Sequence, residues 1–171
     1  MAFSGLMARY GKFNNVKNYI ALVGKKDAQL EEKCGYYGEK IVLEAQRLGL
    51  NTCWVAMTYR KGKTAAVVPA GSKLVMVIAL GYGDNPGVSH KMKSVEELSK
   101  VSGNMPDWFQ SGVEAARYAP TAINQQKFCF ELSGDTVSAV PGSGFCTKTD
   151  LGIAKYHFEL GAGQGGWHWK K

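Results

Sequence analysis

Residues 112–130 read G-V-E-A-A-R-Y-A-P-T-A-I-N-Q-Q-K-F-C-F, a helix, a stop and a strand in immediate succession. Ala115 and Ala116 favour the helix. Pro120 ends it, because a proline ring restricts the residue before it and its nitrogen has no proton to donate. Thr121, Asn124, Gln125 and Gln126 then form a polar loop, and Phe128-Cys129-Phe130 reads as a strand. Each Asn or Gln carboxamide offers an acceptor oxygen and a donor NH2. A planar heteroaromatic ring with donors and acceptors along its edge could be held by such a set. The same residue types also build ordinary turns for backbone reasons, and on the residues alone both readings stand.

Working outward, Asp107 is suited to cap this helix, which should run to Tyr118. Ser94-Val95-Glu96-Glu97 has the form of a capping box and predicts a short helix to about Lys100. The run K-L-V-M-V-I-A-L-G, Lys73–Gly81, is apolar throughout and predicts a central strand. A turn at Pro69-Ala70-Gly71 precedes it, and Thr52–Met57 is a shorter extended segment. Val16–Gly24 reads as a buried strand. Between these, Leu30, Cys34, Tyr37, Ile41, Ala45 and Leu48 recur at three- and four-residue steps. That spacing predicts one buried stripe on a helix capped by Asp27 and closed by Gly49. Gly35 and Gly38 weaken the helix by about 1 kcal/mol each and point to close packing on their face.

Beyond the loop, Thr136–Val140 predicts a short strand, and Asp150–Leu160 fits either helix or strand. The glycine-rich end from Gly161, closing in W-H-W-K-K, reads as loose. No low-complexity linker interrupts the chain. The expectation is one α+β domain over residues 1–163 with a flexible tail at 164–171.

Hydrophobic residues make up 45% and charged residues 20% of the 171, a globular composition with enough length for a real core. No apolar run is long enough for a membrane helix, and Met1–Phe13 has no apolar core followed by a small-residue cleavage site, so export is not expected. Cys34, Cys53, Cys129 and Cys146 with His90, His157 and His168 make no zinc pattern, so no metal is expected. Cys34, Cys53 and Cys129 read as small core hydrophobes, and free thiols fit a reducing cytoplasm. The net charge of +7 is spread over scattered lysines without a basic run, which argues against a nucleic-acid partner. His157 reads as a structural histidine rather than a proton donor, and Trp54 and Trp108 as packing residues.

Three blocks resemble the nitroreductase-like flavoproteins, and in particular a branch of that family with tandem half-motifs. Leu43–Val55, L-E-A-Q-R-L-G-L-N-T-C-W-V, is similar to the family's long dimer-core helix and the strand behind the flavin. Ile78–Leu98, I-A-L-G-Y-G-D-N-P-G-V-S-H-K-M-K-S-V-E-E-L, is similar to its strand, Gly-Tyr turn and basic pair. The segment at 112–130 is similar to A-A-x-x-A-P-S-x-x-N-x-Q-P-W-x-F.

The resemblance implies an α+β fold with a central, mainly antiparallel sheet flanked by helices. It implies bound FMN, with NADH or NADPH giving hydride to flavin N5 and a nitro, quinone or similar small molecule as acceptor. Pro120, Thr121, Ala122, Asn124 and Gln126 would then lie along the flavin ring and ribityl chain. Lys91 and Lys93 would neutralise the phosphate, and the backbone amides of Val55, Ala56 and Met57 would approach N5. A homodimer is implied as well, and no acid–base residue is nominated as catalytic.

The chain departs from the family pattern in four ways. Lys127 stands where proline is usual, and Ala56-Met57 stand where an acidic residue and glycine are common. The R-x-S-x-R segment common in the family is absent; Arg9, Lys12 or Lys17 could compensate, but their spacing does not reproduce the motif. The Asn/Gln loop follows the long helix instead of preceding it. A relative that keeps the fold but no longer binds flavin is therefore the alternative expectation.

Overall fold

Val77 and Ile78, both fully buried, lie midway along the strand that the apolar run predicts. The computed structural model describes residues 16–57, 64–85 and 87–170. Their elements in chain order are β1 (Asn18–Lys25), α1 (Leu30–Arg47), β2 (Asn51–Val55) and β3 (Ser72–Gly81). There follow α2 (Val95–Leu98), β4 (Ser99–Val101), α3 (Asp107–Ala116) and a single 3-10 turn at Ala122–Asn124. The last four are β5 (Phe128–Ser133), β6 (Thr136–Pro141), α4 (Thr147–Ala162) and β7 (His168–Trp169). The chain divides into two units: the described residues up to Leu30 with Lys40–Val88, and Glu31–Glu39 with the described residues from Ser89 onward.

In the first unit β3 is the middle strand, antiparallel to β1 on one side and to β2 on the other. Ala79 pairs with Tyr19 and Cys53, and Val77 with Ala21 and Val55, and Val55, Val77 and Ala79 form a buried cluster against which Tyr19 and Ala21 pack. The Val16–Gly24 segment, expected to be buried, is an edge strand in which only Leu22 is buried. An apolar run reports one well-packed face here, not two. The turn before β3 forms as expected: Ser72 N–H donates to Pro69 O at 3.0 Å, and Gly71 takes a φ of +75°.

Helix α1 closes on Gly49 as its spacing predicts. Leu50 N–H donates to Ala45 O at 2.9 Å and Gly49 N–H to Gln46 O at 3.0 Å, with Gly49 at φ +76°. This is the paired capping pattern that a left-handed glycine allows. The buried stripe differs from the expected one. Leu30, Cys34, Val42 and Ala45 are buried, whereas Tyr37 is 60% exposed, Leu48 65% and Ile41 40%. Gly35, Gly38 and Glu39 complete the buried face, and a stripe drawn from large apolar residues alone misses them. Asp27 accepts from Gln29 N–H at 2.7 Å, just before the helix rather than at its cap.

In the second unit the strand order is β4-β5-β6-β7, with β5 and β6 antiparallel and the two outer pairs parallel. The described strands therefore form two sheets, one of them mixed, instead of one central, mainly antiparallel sheet. Phe130, Phe109, Phe158, Val113 and Val137 make the core of this unit. The Asp150–Leu160 ambiguity resolves as helix, because α4 is buried along most of its length: Leu151, Ile153, Ala154 and Phe158 all face inward.

Glycines let α4 approach its neighbours. A Cβ on Gly152 would meet Tyr36 N at 2.7 Å, and one on Gly35 would meet Thr149 C at 2.9 Å. Gly112 likewise makes room for the Phe158 ring, at 2.7 Å. Around the Gly35–Gly152 crossing, Lys155 pairs with Glu32 at 2.8 Å, Tyr36 donates to Glu159, and buried His157 meets Glu39 at 2.8 Å. Glu39 is only 1% exposed. His157 is thus a structural partner, as the sequence reading has it.

Two helix ends differ from expectation. The capping box at Ser94 and Glu97 is present, but α2 stops at Leu98 because Ser99–Val101 pair with β5. Helix α3 has Pro106 at its cap with Asp107 inside the first turn, and it ends at Ala116.

The tail from Gly161 is not loose. His168 and Trp169 pair with β6, Trp167 stacks on Trp108 at 5.9 Å, and Trp169 packs on Phe158 at 5.4 Å. Trp169 also donates to Glu159 at 2.7 Å and carries the Lys155 ammonium 4.7 Å above its ring. Aromatic area outweighs glycine entropy here. The four thiols are free, and Cys53 is exposed rather than part of the core. No cluster of metal-ligating residues and no helix fit to cross a membrane occur among the described residues.

Two substitutions test this packing. Gly152→Ala is expected to cost about 2–3 kcal/mol in urea unfolding through overpacking, against a gain of about 1 kcal/mol from helix propensity if the crossing were loose. Trp169→Ala is expected to cost about 2 kcal/mol, whereas a loose tail would leave stability within about 0.5 kcal/mol of the parent.

Candidate functional site: a clamped Asn/Gln loop

The loop after Pro120 is held by its own side chains. Gln126 is buried, 3% exposed, and its Oε1 accepts from Lys93 N–H at 2.9 Å. Its Nε2 donates to Lys91 O and to Asn124 Oδ1, both at 2.9 Å. Asn124 Nδ2 donates to the same Lys91 carbonyl at 3.0 Å. Lys93 Nζ returns to Gln126 O at 2.9 Å, and Arg117 Nε takes up Lys93 O at 2.7 Å. Two segments that lie far apart in sequence, 91–93 and 121–126, are thus locked together within the second unit. The carboxamides of Asn124 and Gln126 face this clamp.

Inside the loop, Asn124 N–H donates to Thr121 O, Gln125 N–H to Ala122 O, and Gln126 N–H to Thr121 Oγ1. The far side is held by Asp150 in the first turn of α4. Its Oδ1 accepts from Ala122 N–H at 3.1 Å and its Oδ2 from Gln125 Nε2 at 2.7 Å. Gln125 Nε2 also donates to Phe145 O at 2.7 Å. Burial pushes the Asp150 carboxyl above its ordinary 3.8, while the two hydrogen bonds pull the other way. Lys127, standing where proline is usual, donates through Nζ to Ser143 O at 3.0 Å, and its own carbonyl accepts from Gly142 N–H at 2.8 Å.

The resulting backbone is unusual. Ile123, Asn124 and Gln126 have φ of 49°, 55° and 46°, in the left-handed region. Asn tolerates this, but a β-branched residue there is an outlier.

The residues implied by the resemblance fall into two sets. Pro120, Thr121, Ala122, Asn124, Gln126, Lys91 and Lys93 are gathered in the second unit. Val55, Ala56 and Met57 belong to the first unit, where Val55 is buried at the end of β2 and Met57 is exposed. Arg9 and Lys12 lie outside the described residues. Sequence reasoning missed Asp150 and Arg117, the two groups that fix the clamp from outside. Asp150 had one visible signal, an acid in the first turn of a helix, but its reach to Ala122 depends on tertiary folding.

Residues 1–162 match the model of a family described as Putative TM nitroreductase. The chain belongs to that family. Its fold is similar to the crystal structure of a putative nitroreductase from Thermotoga maritima MSB8, with a TM-score of 0.64 at 23% identity over 83% of this chain. The chain spans 59% of the length of that nitroreductase. No curated protein matches the chain. The nitroreductase resemblance read from the three sequence blocks is therefore sound at the level of family, and the likeness to the solved nitroreductase extends it to the α+β fold.

The Asp150 carboxyl gives a pH signature. Its folded value lies above that of the unfolded chain, so its contribution to stability is complete below pH 3.8 and is lost as pH rises through the folded value. Asp150→Asn removes that slope. The unfolding free energy of the variant relative to the parent is expected to rise between about pH 4 and pH 7, measured by urea unfolding at each pH. A difference that stays flat would show that burial does not govern this group.

Proposed function

We propose that this nitroreductase-family protein is an FMN-dependent NAD(P)H oxidoreductase that reduces nitro, quinone or similar small-molecule acceptors. The observation that carries the reading is the clamp itself, which gives the Asn/Gln loop and the basic pair a common, rigid frame in a chain of this family.

The residues fit the group. FMN presents a flat ring and a phosphate dianion. Lys91 is exposed, and its ammonium has no partner among the described residues. Lys93 Nζ rests on a carbonyl oxygen, which leaves its charge uncompensated. Two lysines supply point charges to a phosphate, without the bidentate fork of arginine. The Ile123 N–H makes no hydrogen bond among the described residues and is available to a ligand atom. Asn124 and Gln126 act by holding the loop in shape, with their carboxamides spent on Lys91 and Lys93. Pro120 and Ala122 contribute the rigid backbone of the loop, and Thr121 Oγ1 fixes its far end.

When bound, FMN supplies the hydride acceptor at N5 and the electron relay to the second substrate. The chain's part is to bind, orient and charge-compensate. Flavin chemistry needs ring geometry more than a proton relay, so the reading requires no catalytic Asp/His pair. Exposed Ile41 and Leu48 on α1 support a homodimer, and free thiols support a cytoplasmic setting.

Purified protein titrated with FMN is expected to turn yellow with one flavin per chain, and to bleach anaerobically with NADH or NADPH. Colour should return on adding a nitroaromatic or a quinone. Lys91→Glu is expected to weaken FMN at least about tenfold, roughly 1.4 kcal/mol, while leaving riboflavin, which has no phosphate, nearly unaffected. Protein that takes up neither FMN nor riboflavin would sink the proposal.

A further inference from the structure

Ile123 is at once the strained residue of the loop and an idle one. Its φ of 49° and ψ of 26° are left-handed, a conformation that glycine or asparagine adopts far more readily than a β-branched side chain. Its side chain is 94% exposed, so the fold gains nothing from an isoleucine there. The strain is nonetheless enforced from every side. Ala122 N–H is tied to Asp150, Asn124 N–H to Thr121 O, and Gln126 N–H to Thr121 Oγ1, while the Gln126 side chain anchors the loop to Lys91 and Lys93. Backbone strain held in place this way marks positions whose side chain is aimed at something outside the fold.

Building on the flavin reading above, we propose that Ile123 is a ligand-contact residue whose side chain forms the apolar surface on which the flat ring of the bound cofactor rests. The clamp aims it. Left-handed backbone at Ile123 and Asn124 turns the isoleucine outward while the asparagine carboxamide reaches back to Lys91 O. A flat heteroaromatic ring is the ligand class that suits this arrangement. Its face would cover the apolar side chain, and one edge atom would accept from the unpartnered Ile123 N–H. An anionic tail would meet Lys91 beside the loop. Ile123 then sets affinity for the ring, and Lys91 sets affinity for the phosphate.

The test uses four proteins, the parent and Ile123→Gly, Ile123→Asn and Ile123→Val, with two measurements on each. The first is thermal unfolding without flavin. The second is the dissociation constant for FMN and for riboflavin, read from quenching of flavin fluorescence. Relief of strain should raise the Tm of the Gly and Asn variants by about 2–4 °C. Loss of the ring contact should weaken both flavins about tenfold to a hundredfold, as expected for uncovering an isoleucine side chain. Ile123→Val keeps the β-branch, so its Tm should stay at the parent value with only about a fourfold loss of affinity.

Equal losses for FMN and riboflavin separate a ring contact from a phosphate contact. A raised Tm with unchanged flavin affinity would overturn the assignment and leave the flavin reading standing. A lowered Tm in the Gly variant would also overturn it, since Ile123 would then be packed within the fold. If the parent itself binds no flavin, the functional reading fails and this inference falls with it.

Discussion

A single buried carboxamide organises the candidate site. Gln126 has four polar valences and spends three of them on Lys93 N–H, Lys91 O and Asn124 Oδ1, out of contact with water. A buried amide left unpaired costs about 1–3 kcal/mol. The loop and the 91–93 segment must therefore move as one body or pay that penalty. The left-handed run at Ile123, Asn124 and Gln126 accompanies these bonds, and the return of Lys93 Nζ to Gln126 O and of Arg117 Nε to Lys93 O adds to the same clamp.

Helix α4 carries the second unit in a similar way. Asp150, in its first turn, holds the loop. Gly152 permits the crossing with residues 31–39, and His157 meets buried Glu39 at 2.8 Å. Phe158 fills the core, while Glu159 accepts from both Tyr36 and Trp169. Buried on most sides, the helix shows little of the amphipathic rhythm from which a helix is read, and so Asp150–Leu160 fits helix or strand equally well.

The sequence alone makes much of the local structure legible. The capping box at Ser94, the closing glycine at Gly49, the turn at Gly71 and the central strand Lys73–Gly81 are all present as their residues dictate. These features depend on a few neighbouring residues and on backbone sterics. Gly35 of α1 also signals a close approach correctly, although the sequence cannot name Gly152 as its counterpart. Where the reading fails, a distant partner decides. The Trp167–Trp169 tail looks loose until the aromatic rings of Trp108, Phe130 and Phe158 are counted. Tyr37 and Ile41 fit the spacing of a stripe, yet the buried residues beside them are Cys34, Gly35, Gly38, Glu39 and Val42.

The sequence by itself determined the α+β class, most element positions and the nitroreductase family, because periodicity, caps and short motifs are local properties written in consecutive residues. Only the tertiary structure decided what the Asn/Gln loop does with its polar groups. The partners of Gln126 and Asp150 lie tens of residues away, and a carboxamide that could read a ligand is chemically the same as one that ties two segments together. Burial and hydrogen-bond geometry separate the two roles. They assign Asn124 and Gln126 to the clamp and leave Ile123 and Lys91 facing outward.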